Sequence, residues 1–382
     1  MVTNITCYTG TLDPNVSFTW YLDSTDNLLP EQTSGVIDGA TASILQLTST
    51  KHLNNKTLYC SATNQCGTGN TDNITLDIRY RPTVHIAPST SPYKIIEGTQ
   101  LTLTCTVDDS NPQPTSFTWS KDGISITGQM SSVFRLTSVQ RSQAGQYTCT
   151  ANNVVGTGTS TSVEVDVLYP PTVSTPSIYK ILESDVLSVT CSSIPGNPTV
   201  ISYRWTGPGG YSSTGVTLRI PDIKRNQTGG YTCTATNIMI PTSTNIQQTG
   251  TGTSQTTIDV LSAPDVPKEF ILDSLSHSSI CIRLKPGFDG GDTQKFIFEH
   301  SVDNKTWTFT PTVELTKEGD VLNGCIENLN PDTEYFVRVI ASNRYGSSKP
   351  VHLVIRQPLR TSANPYASGE NTKLQYTAQS PH

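Results

Sequence analysis

At 382 residues the chain is too long for one ordinary domain and fits about four of roughly 100 residues each. Only 15% of its residues are charged, the formal net charge is -6, and Lys and Arg are scattered, which excludes nucleic-acid binding because phosphate recognition needs clustered cations. Ser, Thr, Asn, Gly and Pro abound and no long helical period appears, so the composition points to an all-β chain of short strands and tight turns.

The first segment, residues 1–79, carries Cys7, Trp20 and Cys60, with the alternating run Ile44-Leu45-Gln46-Leu47 between the last two and Leu58 two places before the second cysteine. Cys7 lies too near the first residue for a preceding strand, so this segment reads as truncated at its N-terminal side. Cys66 is the odd one of nine cysteines and falls where the chain should turn back. It is either a surface thiol or a bridge to an upstream residue or another chain. The second segment, 81–168, begins with the alternation Leu101, Leu103, Cys105, Val107. Trp119 follows Cys105 by fourteen residues (119 minus 105), and Tyr147-Thr148-Cys149 closes the set. The third segment, 170–261, repeats it with Cys191, Trp205 and Tyr231-Thr232-Cys233, again with a step of fourteen (205 minus 191). Each repeat is introduced by a Tyr-x-Pro stretch, Tyr80-Arg81-Pro82 and Tyr169-Pro170-Pro171. Proline fixes φ and restricts its predecessor, so these hinges are expected to be stiff and extended, with the domains end to end as a rod.

One loop differs between the repeats. From Cys149 to Gly156 is 7 residues (156 minus 149), but from Cys233 to the corresponding Gly250 is 17 (250 minus 233). The added residues place Ile238, Met239, Ile240 and Ile246 where a turn is normally polar. Two readings follow: a partner-binding loop carrying Ile238, Met239 and Ile240, or a lengthened hairpin whose Ile residues pack on their own sheet or on the next domain.

The fourth segment, 264–360, lacks a Trp in the strand that carries it in the other three and lacks the Tyr-x-Cys, and has instead Leu329-Asn330-Pro331-Asp332-Thr333-Glu334-Tyr335 leading into an apolar alternation. Ile280, Ile282 and Leu284 alternate inward, which turns Cys281 outward, and Ile326 with Leu329 does the same for Cys325. Residues 361–382 are polar and read as a flexible tail.

Sequons occur at Asn4, Asn15, Asn55, Asn73, Asn226 and Asn304, all on expected loops or outward positions, as a glycan requires. At Asn73 the expectation rests on Ile74, Leu76 and Ile78 alternating inward. Nine cysteines and six sequons together imply an oxidising, extracellular setting. No run of eighteen apolar residues and no N-terminal leader appear, so the chain is expected to be a piece of a longer cell-surface protein, type I and single-pass if complete. The six His are dispersed, the Gly-Thr-Gly pieces at Gly67, Gly156 and Gly250 are not followed by a helix that would cradle a phosphate, and the acidic pairs match no calcium loop. No catalytic residue, metal or cofactor is expected, and no small-molecule substrate.

The Cys, Trp and Tyr offsets resemble those of immunoglobulin β-sandwiches, in which two cysteines bridge facing sheets, the Trp packs on the bridge and the Tyr locks a corner. That resemblance implies bridges Cys7–Cys60, Cys105–Cys149 and Cys191–Cys233, with Leu58 in the corner place of the first. The fourth segment resembles a fibronectin type III sandwich, with Leu284 where that family usually has Trp and Tyr335 among its core markers. Because the strands of Cys281 and Cys325 are neighbours there, a fourth bridge is implied. Residues Pro286-Gly287-Phe288-Asp289-Gly290-Gly291-Asp292-Thr293-Gln294-Lys295-Phe296 are similar to the matching stretch of the nephrin and kirre-type adhesion family. This implies an adhesion or recognition ectodomain that binds other cell-surface proteins, of its own kind or another. The alternative is the ligand-binding part of a receptor tyrosine kinase or phosphatase.

Overall fold

The computed structural model describes residues 2–23, 32–200, 202–311 and 313–356. The expected tail at 361–382 lies outside the described residues. The chain divides into two compact units, residues 1–169 with 239–248, and residues 170–238 with 249–382. Period-two patterning builds both. In the strand Leu101–Asn111, positions 101, 103 and 105 are buried while 102, 104 and 106 are not, because successive side chains leave opposite faces of the pleat.

The first unit holds two sandwiches. In the first, Val2–Tyr8 and Gln32–Ile37 flank Ala40–Thr48, and a second sheet is formed by Ser17–Leu22, Thr57–Asn64 and Gly67–Asn70. Cys7 is joined to Cys60, and Trp20 is buried beside them with its Nε1 donating to Ser43 Oγ at 3.0 Å. Leu58 is fully buried at the corner, so apolar volume stands where the next two sandwiches have a hydroxyl. The inward alternation expected around Asn73 holds for Leu76 and Ile78 only. Ile74 is 55% exposed, since the ladder there is two residues long and imposes no sustained period.

In the second sandwich the sheet of Val133–Leu136, Leu101–Asn111 and Tyr80–Ala87 is joined through Cys105–Cys149 to a sheet centred on Ser116–Lys121 and Gly145–Asn153. On that second sheet Tyr93–Ile96 runs parallel to Val163–Leu168. Trp119 donates to the Ser131 carbonyl at 2.9 Å, and the Tyr147 hydroxyl donates to the Gln143 carbonyl at 2.8 Å. The first Tyr-x-Pro stretch is part of a strand here: Tyr80 pairs with Asn111, Thr83 with Asp109 and Val84 with Val107.

The second unit also holds two. The third sandwich places Ile178–Leu182, Gln248–Leu261, Gly229–Met239, Ser202–Thr206 and Ser212–Thr214 in one sheet, with Cys191 joined to Cys233 and Trp205 fully buried. Tyr231 repeats the corner, donating to the Gln227 carbonyl at 3.0 Å. In the fourth, Lys268–Leu275, Ile280–Lys285, Val321–Ile326 and Thr316–Glu318 form one sheet, and Lys295–Ser301, Glu334–Asn343 and Val351–Arg356 carry the other. Ile280, Ile282, Leu284 and Ile326 fill its core. Cys281 stands directly opposite Cys325 with Cα atoms 4.0 Å apart, half-buried on the other side of the strands. Tyr335 is buried, and its hydroxyl accepts the Asn330 N–H at 2.9 Å.

Candidate functional site

The surfaces a sandwich offers are its loops, its edges and its joints, and each is built here by identifiable residues. The insertion after Asn237 does not form a coil. The strands Gly229–Met239 and Gln248–Leu261 run on, so Gly250, expected at the turn, is buried inside a strand and the turn moves out to residues 240–247. Met239 is buried and Ile238 half-buried, whereas Ile240 is 44% and Ile246 64% exposed. The tip of the hairpin is hydrogen-bonded outside its own sheet and outside the fourth segment. Residues 239–248 belong to the first unit, where Thr242 N–H donates to the Lys94 carbonyl at 2.8 Å and Lys94 N–H donates to Thr242 Oγ1 at 2.8 Å. The tip thus caps the edge strand Tyr93–Ile96, whose backbone groups would otherwise be open to another chain. Ile240 and Ile246, rather than Met239, are what the hairpin presents to solvent.

All six sequon asparagines, Asn4, Asn15, Asn55, Asn73, Asn226 and Asn304, are exposed. Asn304 sits at the tip of a loop gathered by Asp303, whose carboxylate accepts from Lys305 N–H (2.8 Å), Thr306 N–H (2.7 Å) and Ser301 Oγ (2.8 Å). These donors hold the Asp303 carboxyl far below the usual carboxylate range. Cys66 carries a free, exposed thiol in the turn Asn64–Gly67, at the rim of a cleft of about 310 Å³ that Thr9, Val16 and Ala62 also line.

The joints are built from side-chain amides that reach backbone carbonyls of the neighbouring segment. Within the first unit, Asn153 Nδ2 donates to the carbonyls of Tyr80 (2.7 Å) and Pro112 (2.9 Å), and Asn111 Nδ2 donates to Asn54 Oδ1 (3.0 Å), Asp77 Oδ1 (2.7 Å) and the Ile78 carbonyl (2.9 Å). Within the second, Asn343 Nδ2 donates to the carbonyls of Ser262 (2.9 Å) and Asp289 (2.8 Å). Ser262 N–H donates to the Gly290 carbonyl at 3.0 Å, and Asp265 N–H to the Phe288 carbonyl at 2.8 Å. At Gly290, where φ is +74°, a β-carbon would lie 2.0 Å from the Ser262 carbonyl oxygen, and at Gly287 one would lie 2.6 Å from that of Val266. Residues 287–291 of the glycine-rich stretch therefore form a loop wrapped on the segment joining the third and fourth sandwiches. Only glycine permits that approach.

Among the described residues no three His, Cys, Asp or Glu side chains gather as a metal-binding group, and no helix is long and apolar enough to cross a membrane. The immunoglobulin domain family matches residues 81–153 and 170–237. Mouse B-cell receptor CD22 is 34% identical over 43% of this chain and 19% of its own length. Human Kin of IRRE-like protein 2 is 28% identical over 59% of this chain and 32% of its own. Human nephrin is 26% identical over 78% of this chain and 25% of its own. The chain thus spans a third or less of each of these relatives.

Proposed function

We propose, for a chain whose residues 81–153 and 170–237 match the immunoglobulin domain family, that it is part of a non-catalytic adhesion or recognition ectodomain binding other cell-surface proteins. The observation that carries this reading is the reach of the nephrin likeness, 78% of the chain, well past the two matched domains and consistent with the resemblance of residues 286–296. Exposed sequons and cysteine pairs confined within single sandwiches support an extracellular setting. We read the sandwich of residues 264–360 as a fibronectin type III domain, and residues 1–79, 81–168 and 170–261 as three immunoglobulin domains. Binding is direct contact between sandwich surfaces, with no cofactor or small molecule required.

The test is to couple the purified chain to beads through its C-terminus and score aggregation, and in parallel to probe an array of cells each displaying one surface protein. Calcium-independent clustering of beads, or saturable binding to one displayed immunoglobulin-domain protein, is the expected result. Neither occurring would reject the reading. A kinase or phosphatase domain in the full-length transcript would select the receptor-enzyme alternative instead.

A further inference from the structure

Each of the first three sandwiches has a three-residue turn of 3-10 helix shortly before the strand of its second cysteine: Lys51–Leu53, Arg141–Gln143 and Arg225–Gln227. The residue that opens the turn is basic every time. It precedes the cysteine by nine, eight and eight residues (60 minus 51, 149 minus 141, 233 minus 225). In the second and third sandwiches a glutamate of the same sandwich holds one side of this cation. Glu97 accepts from Arg141 backbone N–H (3.0 Å), Nε (2.9 Å) and Nη2 (2.6 Å), and Glu183 accepts from Arg225 backbone N–H (3.1 Å) and Nη2 (3.1 Å). A guanidinium is a rigid planar fork, so fixing one edge also aims its face and its other edge.

What they are aimed at is the chain leaving the sandwich. Arg141 Cζ stands 3.9 Å from the centroid of the Tyr169 ring, the last residue of the first unit. Arg225 Nη1 donates to Asp265, in the segment between the third and fourth sandwiches. Lys51 Nζ lies 3.3 Å from one oxygen of Asp109, whose other oxygen accepts from the Tyr80 hydroxyl at 2.6 Å. Tyr80 and Tyr169 are the tyrosines of the two Tyr-x-Pro stretches, a repeated motif that core packing does not use.

We propose that Lys51, Arg141 and Arg225 are anchors that hold the chain leaving the sandwich that bears each: Arg225 through Asp265, Arg141 through the ring of Tyr169 within the first unit, and Lys51 through Asp109, which the Tyr80 hydroxyl also holds. Exposed ion pairs contribute little to fold stability, so the anchor acts on the amplitude of joint motion and not on whether a sandwich folds. No partner is needed for this role, and its failure is distinct from that of the adhesion reading.

The experiment uses the full chain with spectroscopic labels on unnatural amino acids at Ser188 and Lys317, exposed positions of the third and fourth sandwiches. Arg225→Ala should at least double the width of the label-to-label distance distribution while shifting the melting of the third sandwich by no more than about 4 °C. Arg225→Lys, which keeps the charge but loses the fork, should give an intermediate width, and about 1 M salt should broaden the unsubstituted chain. An unchanged width in Arg225→Ala overturns the proposal. So does broadening that comes with a large loss of melting temperature, since Arg225 would then be an ordinary fold contact.

Discussion

Three of the sandwiches carry Gly-Thr-Gly, and the two glycines serve different ends. Gly67 and Gly156 open the returning strand at φ of +141° and +150°, backbone that side chains other than glycine rarely adopt. The second glycine is a matter of room: a β-carbon at Gly158 would lie 1.9 Å from the Pro82 carbonyl oxygen and at Gly252 2.2 Å from that of Pro171, while at Gly69 nothing lies within 4 Å. Gly158→Ala should therefore destabilise the second sandwich by about 3 kcal/mol, the upper end of overpacking, because a backbone carbonyl in a ladder cannot step aside. Gly69→Ala in the same chain should stay within about 0.5 kcal/mol. Hydrogen-exchange protection along Leu101–Asn111 and Ala40–Thr48 reads the two separately, and equal effects would refute the distinction. The bridge cysteines, the tryptophans and the corner tyrosines were legible because their offsets are set inside one sandwich by strand length. The crowding at Gly158 was not, since its cause is a residue 76 positions away (158 minus 82). Nor was the place of Trp307, which lies under the Arg338 guanidinium at 4.0 Å and against His352, on a face that alternation marks only as outward.

At the scale of elements, the lengthened hairpin shows how far a pattern carries. The residue count between Cys233 and Gly250 reveals the insertion and its apolar run, but neither names the neighbour to which the tip is hydrogen-bonded. That neighbour is a strand edge more than a hundred residues earlier, reached through backbone groups that every residue has. Thr242→Val keeps the shape and removes the acceptor for Lys94 N–H. A typical hydrogen bond contributes about 1 kcal/mol, so exchange of the Lys94 amide should accelerate by about fivefold, with amides of the opposite sheet unaffected. An unaltered rate at Lys94 would mean that the hairpin tip does not protect this edge. The fourth sandwich is legible in its closing strand, where the turn residues and the alternation agree. Its glycine-rich loop resembled a family stretch without any visible reason, because the reason is the carbonyl of Ser262 on the preceding segment.

For the whole molecule, acid should act in two steps. Burial lowers the proton affinity of His300 and His352 in the fourth sandwich, and the Arg338 cation adds to it at His352. The native state then binds these protons less readily than the unfolded chain. Above the ordinary imidazole range neither state is protonated, and as pH falls through that range the fourth sandwich loses stability until its native imidazoles protonate too. Glu97 and Glu183 behave oppositely: hydrogen bonds from Arg141 and Arg225 hold both below the usual carboxylate range, so their contribution is complete above that range and is lost only as pH falls through the lowered values. Calorimetry between about pH 7.5 and 5 should show the fourth sandwich weakening alone, and His300→Gln with His352→Gln should remove that step. A first step that survives the double substitution would assign it elsewhere. The loop 287–291 closed on residues 261–266 has one more consequence, for the way such chains are recombined. A crossover placed between the third and fourth sandwiches parts a glycine-shaped socket from the backbone it was shaped on, so a chimera that exchanges the fourth sandwich has to take residues 261–266 from the same parent, and the transferable cassette begins inside the strand that ends the third.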